Sequence, residues 1–155
     1  MPELNRRLVL AERPSGNVDD STIRVERDPI PEPGPGEALV RTRFISIDPT
    51  IRTWMDDKPG YLPPIGVGDV VRAAGIGEVV SSNTDRYAAG DMVFGTLGWQ
   101  DYAIADEGEG AVRVLPAEVD PHAALSVFGL TGLTAYFGLI DVGRVKEGDV
   151  VVVSG

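Results

Sequence analysis

Hydrophobic and polar residues alternate with a period of two along the chain up to residue 115, and this pattern predicts β-strands. The clearest run is EALVRTRFISI at residues 37–47, whose side chains fall alternately on two faces. Residues 8–10 and 22–26 are predicted to pair antiparallel across a polar turn. The other predicted strands lie at residues 68–81, 90–98, 99–106 and 112–115.

Glycines interrupt two of these predicted strands, GDVVRAAGIGEVVS at residues 68–81 and GDMVFGTLG at residues 90–98. Glycine weakens a strand unless a bend, a bulge or a close backbone approach requires it. The repeated glycines therefore predict a small curved barrel. They do not indicate phosphate loops, because the GVG at residues 66–68 and the GIG at residues 75–77 lack a third glycine and a following helical pattern.

Helical periodicity appears in two places. Asp48 and Pro49 end the strand at residues 37–47 and are expected to begin a short helix through Met55, with Asp48 as its cap. An ion pair between Asp48 and Arg52, four residues apart, is an alternative role for that carboxylate. After residue 116 the pattern becomes helical and predicts helices at 121–128 and 131–140.

The last residues, GDVVVVSG at 148–155, predict a strand of a parallel sheet. Ser154 and Gly155 stand where a phosphate-binding loop begins in nucleotide-binding folds. A strand this apolar needs strands on both sides, because its backbone groups and side chains would otherwise face water. We therefore expect the chain to enter a second domain at residue 148 and to end one strand into it.

Composition excludes several classes of function. The chain has 155 residues, of which 43% are hydrophobic and 25% charged, as in ordinary globular proteins. Its net charge is -10 and its basic residues are scattered along the sequence, which argues against nucleic acid and anionic membranes as partners. With no cysteine and His122 as the only histidine, we expect no disulfide and no bound metal. His122 itself is expected to be a surface or capping residue.

Two segments bear on localisation. The N-terminus offers two arginines and then a three-residue apolar run, too short for a signal peptide, so we expect a cytoplasmic protein. Residues 123–140 carry no charge and are long enough to cross a bilayer. Gly129 and Gly132 interrupt that stretch, which favours two buried helical turns over a membrane span.

No catalytic group can be assigned from the residues alone. The four tyrosines are candidate proton donors only where one lines a cleft, and a packed ring with its hydroxyl in water is the commoner role. They are Tyr61, Tyr87, Tyr102 and Tyr136. The acidic run at residues 106–110 predicts a solvated turn.

Several segments, taken in order, resemble the zinc-free, NADP-dependent alkene reductases of the medium-chain dehydrogenase/reductase superfamily, a branch that includes leukotriene and prostaglandin reductases and plant double-bond reductases. SIDPTIR at residues 46–52 resembles that branch's VDPYMR, and GWQDY at 98–102 resembles its GWxxY. VVRAAGIGEVV at 70–80 is similar to VIRGGGVGxV, and GLTGLTAYFGL at 129–139 to GMPGLTAYxGL. The closing residues 148–155 resemble the strand that leads into the NADP phosphate loop.

The resemblance implies a mainly β fold with a few helices. Residues 1–120 would form a GroES-like, partly open β-barrel that binds substrate, 121–147 connecting helices, and 148–155 the first strand of a Rossmann α/β nucleotide-binding domain. The full-length protein would be a homodimer without metal that transfers hydride from NADPH to the β-carbon of an α,β-unsaturated ketone or aldehyde. The fragment alone is expected to be inactive.

The resemblance also assigns site residues. Contacts with NADP(H) are expected at Pro49, Ile51, Leu130, Thr131, Thr134, Ser154 and Gly155. The substrate side is expected at Thr50, Met55, Tyr61 and Trp99. Thr50 replaces the tyrosine of the family's VDPY, and Leu130 and Thr131 replace its methionine and proline. The tyrosine can line the substrate pocket in the family, so its loss bears on the natural substrate.

Two alternatives stay open. A quinone reductase of the same superfamily would pass the hydride to a quinone instead of an enone. A free-standing GroES-like domain would act only by binding a partner, although the valines at residues 150–153 have no evident use in such a domain.

Overall fold

The computed structural model describes residues 3–106, 108 and 112–154. The chain divides into two compact units, Met1–Glu118 and Val119–Gly155. The first unit holds the β-strands and one helix, and the second holds short helical segments. No helix among the described residues is both long and apolar enough to cross a membrane.

The first unit is built from two open antiparallel sheets. One pairs strands β1 (Leu4–Leu10) and β2 (Ile23–Pro29). The other has five strands in the order β6-β3-β4-β5-β7. Their bounds are β3 Ala38–Ile45, β4 Ala74–Ser82, β5 Met92–Thr96, β6 Tyr102–Ala105 and β7 Arg113–Val114. The mainly β architecture is confirmed, and the open sheets agree with a partly open barrel.

Two clusters of buried side chains form the core of this unit. The first is formed mainly by residues of the large sheet and comprises Ala38, Val40, Val79, Tyr87, Val93, Leu97, Ala103, Ala105 and Val112. The second lies under the helix α1 (Pro49–Trp54) and comprises Leu10, Ile51, Met55, Ile65, Val71 and Ala73. The half-buried rings of Trp54 and Trp99 pack against this second cluster. The core therefore reaches directly to the helix that follows β3.

Close packing accounts for two of the strand glycines. A Cβ at Gly77 would lie 2.7 Å from the Arg41 carbonyl oxygen, and one at Gly95 would lie 2.9 Å from Val112 Cα. Real Cβ atoms are not found this close to a backbone, so only glycine lets these segments approach one another.

The second unit departs from the sequence prediction. Its helices are α2 (Pro121–Leu125) and α3 (Leu130–Tyr136), and α3 continues into a π-helical turn at Phe137–Val142. Asp120 caps α2 by accepting a hydrogen bond from the Ala123 N–H at 2.9 Å. The expectation that the helical turns are buried is wrong, because most of their apolar side chains are exposed. These include Val127, Phe128, Leu130, Leu133, Tyr136, Phe137, Ile140 and Val142.

The strand predicted at the end of the chain is not formed. Residues 148–154 pair with no strand among the described residues, and Val150 is 91% exposed. A strand is stable only when a neighbour receives its backbone hydrogen bonds, so an apolar run without that neighbour stays irregular.

We predict that Gly77→Ala lowers the stability of the chain, because the added methyl group would press on the β3 backbone. Overpacking of this kind costs about 1–3 kcal/mol. Urea unfolding followed by circular dichroism measures the loss. Gly16→Ala is the matched control, since a Cβ there meets nothing within 4 Å. Equal midpoints for the two variants would show that the β3–β4 contact is not tight.

Candidate functional site

The segment between β3 and α1 carries several of the predicted site residues. Pro49 occupies the first helical position, where its fixed φ suits a helix and its missing N–H is not needed. Asp48 stands at the cap position but its side chain makes no capping hydrogen bond, so the predicted cap is wrong in that respect. The Asp48 carboxylate instead accepts a hydrogen bond from the Ser46 hydroxyl.

The predicted ion pair between Asp48 and Arg52 is also not formed, because Arg52 points away from it. The Arg52 Nη1 donates to Asp56 Oδ1 at 2.7 Å, and Nε and Nη2 both donate to the Gly16 carbonyl oxygen, at 2.9 and 2.7 Å. The hydrogen bond from this guanidinium holds the pKa of Asp56 below its usual value. Arg52 thus ties α1 to the loop around Gly16.

A second arginine holds the other end of α1. Arg13 Nη1 donates to the Met55 carbonyl oxygen at 2.8 Å. The side chains of Ile51 and Met55 are only 3% and 2% exposed and belong to the core cluster under α1. These two side chains hold the helix on the core. The exposed ring of Pro49 and the half-buried Thr50 therefore lie on the outer side of α1.

Thr50 and Tyr61 bring two hydroxyl groups together. Thr50 Oγ1 and the Tyr61 hydroxyl oxygen are 2.8 Å apart, and either can be the donor. The Tyr61 ring is 72% exposed and meets the Trp54 ring edge to face, with centroids 6.1 Å apart. The pair therefore offers a hydrogen-bond donor beside an aromatic wall, at a surface that solvent reaches.

Trp54 is itself fixed from another direction. The Arg72 guanidinium lies over its ring at 5.6 Å from the centroid, and Arg72 Nη1 donates to the Pro63 carbonyl oxygen at 2.8 Å. Among the described residues, the buried Trp54 Nε1 has no hydrogen-bond partner. The loop that bears Tyr61 is thus connected to α1 through this ring.

Trp99 lies on another side of the segment that leads from β3 to α1. Its Nε1 donates to the Ser46 carbonyl oxygen at 3.1 Å. Its ring also lines a cavity of about 250 Å³ together with Leu8, Phe44 and Ile45. Trp99 therefore anchors the backbone at Ser46, two residues before Asp48, and its ring borders this cavity.

The predicted site residues of the second unit are exposed. Thr131 Oγ1 donates to the Ser126 carbonyl oxygen at 3.1 Å, and Thr134 Oγ1 donates to that of Leu130 at 2.7 Å. Each threonine oxygen can still accept a hydrogen bond. Ser154 is exposed, and Gly155 lies outside the described residues.

Of the four tyrosines, Tyr61 alone pairs with a predicted site residue in the described part of the chain. The buried Tyr87 hydroxyl donates to the Val112 carbonyl oxygen at 3.0 Å, and the buried Tyr102 hydroxyl to Glu3 Oε1 at 2.8 Å. Burial raises the pKa of Tyr102, and the hydrogen bond to Glu3 raises it further. Tyr136 is exposed and contacts Phe137 edge to face.

The described residues contain no group of three or more histidine, aspartate or glutamate side chains placed to hold a metal ion. His122 is exposed in α2, as expected of a surface residue. The acidic run at residues 106–110 lies largely outside the described residues; within it, Asp106 Oδ1 accepts from the Gly108 N–H at 3.0 Å.

Comparison with known proteins gives consistent matches. A family model described as the N-terminal domain of oxidoreductase matches residues 6–114. The NADPH-dependent curcumin reductase of Escherichia coli (strain K12) is 43% identical over 97% of this chain and 43% of its own length. Prostaglandin reductase 1 of Rattus norvegicus is 33% identical over 90% of this chain and 41% of its own.

A solved structure agrees with these matches. CurA from Vibrio vulnificus in complex with NADPH is 40% identical and superposes with a TM-score of 0.83 over 93% of this chain and 42% of its own. The chain thus spans less than half the length of the relatives it matches.

We predict that Arg52→Ala loosens α1, because one side chain supplies its bonds to Asp56 and to the Gly16 loop. Hydrogen exchange of the amides at residues 51–56 should become faster, while exchange in β4 stays unchanged. Arg24→Ala is the control, since Arg24 is paired with Glu26 on the outside of β2. Unchanged exchange at residues 51–56 in Arg52→Ala would show that the core contacts alone hold α1.

Proposed function

Since the chain belongs to the N-terminal domain family of the zinc-independent, NADP-dependent alkene reductases in the medium-chain dehydrogenase/reductase superfamily, we propose that its full-length protein uses NADPH to reduce the C=C bond of α,β-unsaturated ketones and aldehydes. The observation that carries the proposal is the hydroxyl pair of Thr50 and Tyr61 beside Trp54. The named activities of the relatives support the same cofactor and the same class of chemistry.

The division of the chain follows from the same premise. Residues 1–120 are proposed to be the substrate domain and residues 121–147 the connection to the nucleotide-binding domain. Residues 148–155 are proposed to become the first strand of a Rossmann sheet whose other strands belong to the remainder of the protein. Their exposed valines support this, because they are the side chains that a parallel sheet would bury. The full-length protein is proposed to be a homodimer.

Four of the residues proposed to hold NADP(H) fit its nicotinamide end chemically, whereas Ile51 is buried and would act by seating α1. On the first unit, the exposed Pro49 ring offers an apolar surface for a planar ring. On the second unit, Leu130 is an exposed apolar side chain, and the oxygens of Thr131 and Thr134 can accept from a carboxamide N–H. When bound, NADPH supplies the hydride that adds to the β-carbon of the substrate.

The chain's own contribution is to bind the carbonyl group of the substrate. As the hydride adds, negative charge moves to the carbonyl oxygen, and a hydroxyl donor at that oxygen stabilises the resulting enolate. Tyr61 is proposed to be this donor because its exposed ring can reach a ligand. Thr50 would orient the Tyr61 hydroxyl by donating its own hydrogen to the Tyr61 oxygen across 2.8 Å, which leaves the single Tyr61 hydrogen for the substrate. The proton that the α-carbon then takes would come from water or from the cofactor ribose.

Tyr61→Phe tests this role in the full-length protein. The variant keeps the ring that packs on Trp54 and removes the donor, so we expect kcat for an enone to fall about 100-fold, as for loss of one oxyanion donor. Oxidation of NADPH followed at its nicotinamide absorbance measures the rate, and the Kd for NADPH should not change.

Two outcomes would contradict the proposal. Undiminished turnover by Tyr61→Phe would remove Tyr61 from the mechanism. A full-length wild-type protein that oxidises NADPH with quinones but with no enone would favour a quinone reductase. Tyr136→Phe, which changes an exposed tyrosine of the second unit, is the matched control and should leave kcat unchanged.

A further inference from the structure

The fold gathers three arginines that are scattered in the sequence. Arg6 lies on β1, and Arg41 and Arg43 lie two residues apart on β3. All three border a pair of cavities of about 250 and 360 Å³, which share Arg6, Thr42, Arg43 and Asp101 in their walls. In a chain of net charge -10, three cations stand in the walls of this double cavity beside the carboxylates of Glu3 and Asp101, and Glu78 pairs with Arg43 next to them.

Each guanidinium is positioned by a carboxylate through a single nitrogen. Arg6 Nη2 is 3.0 Å from Asp101 Oδ1, Arg43 Nη2 is 2.6 Å from Glu78 Oε2, and Arg41 Nη2 is 3.6 Å from Glu3 Oε1.

A guanidinium has five N–H donors in a rigid fork, and each of these contacts uses only the Nη2 nitrogen of its arginine. Within the described residues, Nε and Nη1 of all three arginines have no hydrogen-bonding partner. The side chains are about half exposed, so a ligand that enters the cavities can reach the remaining donors.

The smaller cavity also has an apolar wall. Leu8, Phe44, Ile45 and the half-buried ring of Trp99 line it together with the charged groups. The larger cavity is lined by Tyr102. The Arg41 guanidinium lies over the Tyr102 ring, 5.9 Å from the ring centroid. Ligand sites commonly combine apolar walls with a few fixed polar groups in a volume of roughly 300 Å³ or more.

From this arrangement we propose that the double cavity binds a small organic carboxylate with an apolar body. The carboxylate accepts hydrogen bonds from the free guanidinium edges, because the planar fork of arginine matches the two oxygens of a carboxylate. The apolar body lies on Trp99 and Phe44. The site involves neither Thr50 nor Tyr61, although it shares Trp99 with the residues expected on the substrate side of the reductase, and its test does not depend on the proposed reductase activity.

The test is a titration of the chain with 4-phenylbutyrate, its uncharged amide and inorganic phosphate. Amide chemical shifts in ¹H–¹⁵N spectra report both affinity and location. We expect saturable shifts with 4-phenylbutyrate at residues 41–45 and 98–102, and binding of the amide that is at least about tenfold weaker, since charge-assisted hydrogen bonds are lost. Phosphate should bind more weakly than 4-phenylbutyrate because it gains nothing from the apolar wall.

Charge-matched variants identify the arginines. Arg6→Gln and Arg43→Gln each remove one charge from an exposed side chain and should weaken 4-phenylbutyrate binding about tenfold. Arg24→Gln removes the same charge from the outside of β2 and should leave the affinity unchanged. Circular dichroism confirms that each variant is folded.

Several results would overturn the proposal. These are equal binding of acid and amide, equal binding of phosphate and 4-phenylbutyrate, equal weakening by Arg24→Gln, shifts confined to other parts of the chain, or no saturable shift in the millimolar range. Loss of enone reduction in the full-length protein has no bearing on this readout, so the two proposals fail separately.

Discussion

The seating of α1 on the core is the contact on which the candidate site depends. A helix of six residues has no stability of its own, because so short a segment cannot repay the cost of nucleation. Burial of Ile51 and Met55 against Leu10 and Val71 supplies what the helix lacks. With these side chains inward, Thr50 is left to meet Tyr61, and Arg52 is left to bond the Gly16 loop. The same burial thus fixes the helix and orients its polar residues.

Hydroxyl groups are what the candidate site offers to a substrate carbonyl. Thr50 Oγ1 and the Tyr61 hydroxyl oxygen lie 2.8 Å apart at a surface that solvent reaches. In the proposed reaction a donor of this kind stabilises the negative charge that develops on the carbonyl oxygen. Threonine at position 50 keeps a hydroxyl where the family's motif has tyrosine, but on a shorter side chain. Tyr61 then becomes the residue that reaches outward.

Sequence patterns predicted the features that depend on near neighbours. The period of two in residues 37–47 gave β3, and Asp48 with Pro49 marked the start of α1. The spacing of four residues fits both Asp48 and Asp56 as partners of Arg52, and the sequence alone did not show that Asp56 is the one used. The bonds from Arg52 to Gly16 could not be predicted, since Gly16 is far away in sequence. The burial of Ile51 was likewise invisible, because it depends on Leu10 and other residues that only the fold brings beneath α1. Interactions across long separations decide these cases.

At the end of the chain, too, a local sequence pattern was not enough to predict the structure. Residues 148–153 have the composition of a buried strand, yet the hydrogen-bonding neighbours that make a strand are not among the described residues. The gathering of Arg6 with Arg41 and Arg43 is a property of how β1 approaches Gln100, just before β6, and no count of charges along the sequence reveals it. The most direct test of the central claim uses NADPH carrying deuterium at the transferred position, with the full-length protein and an enone. The account predicts deuterium on the β-carbon of a saturated ketone, whereas deuterium on the carbonyl carbon of an alcohol, or none in the product, would contradict it.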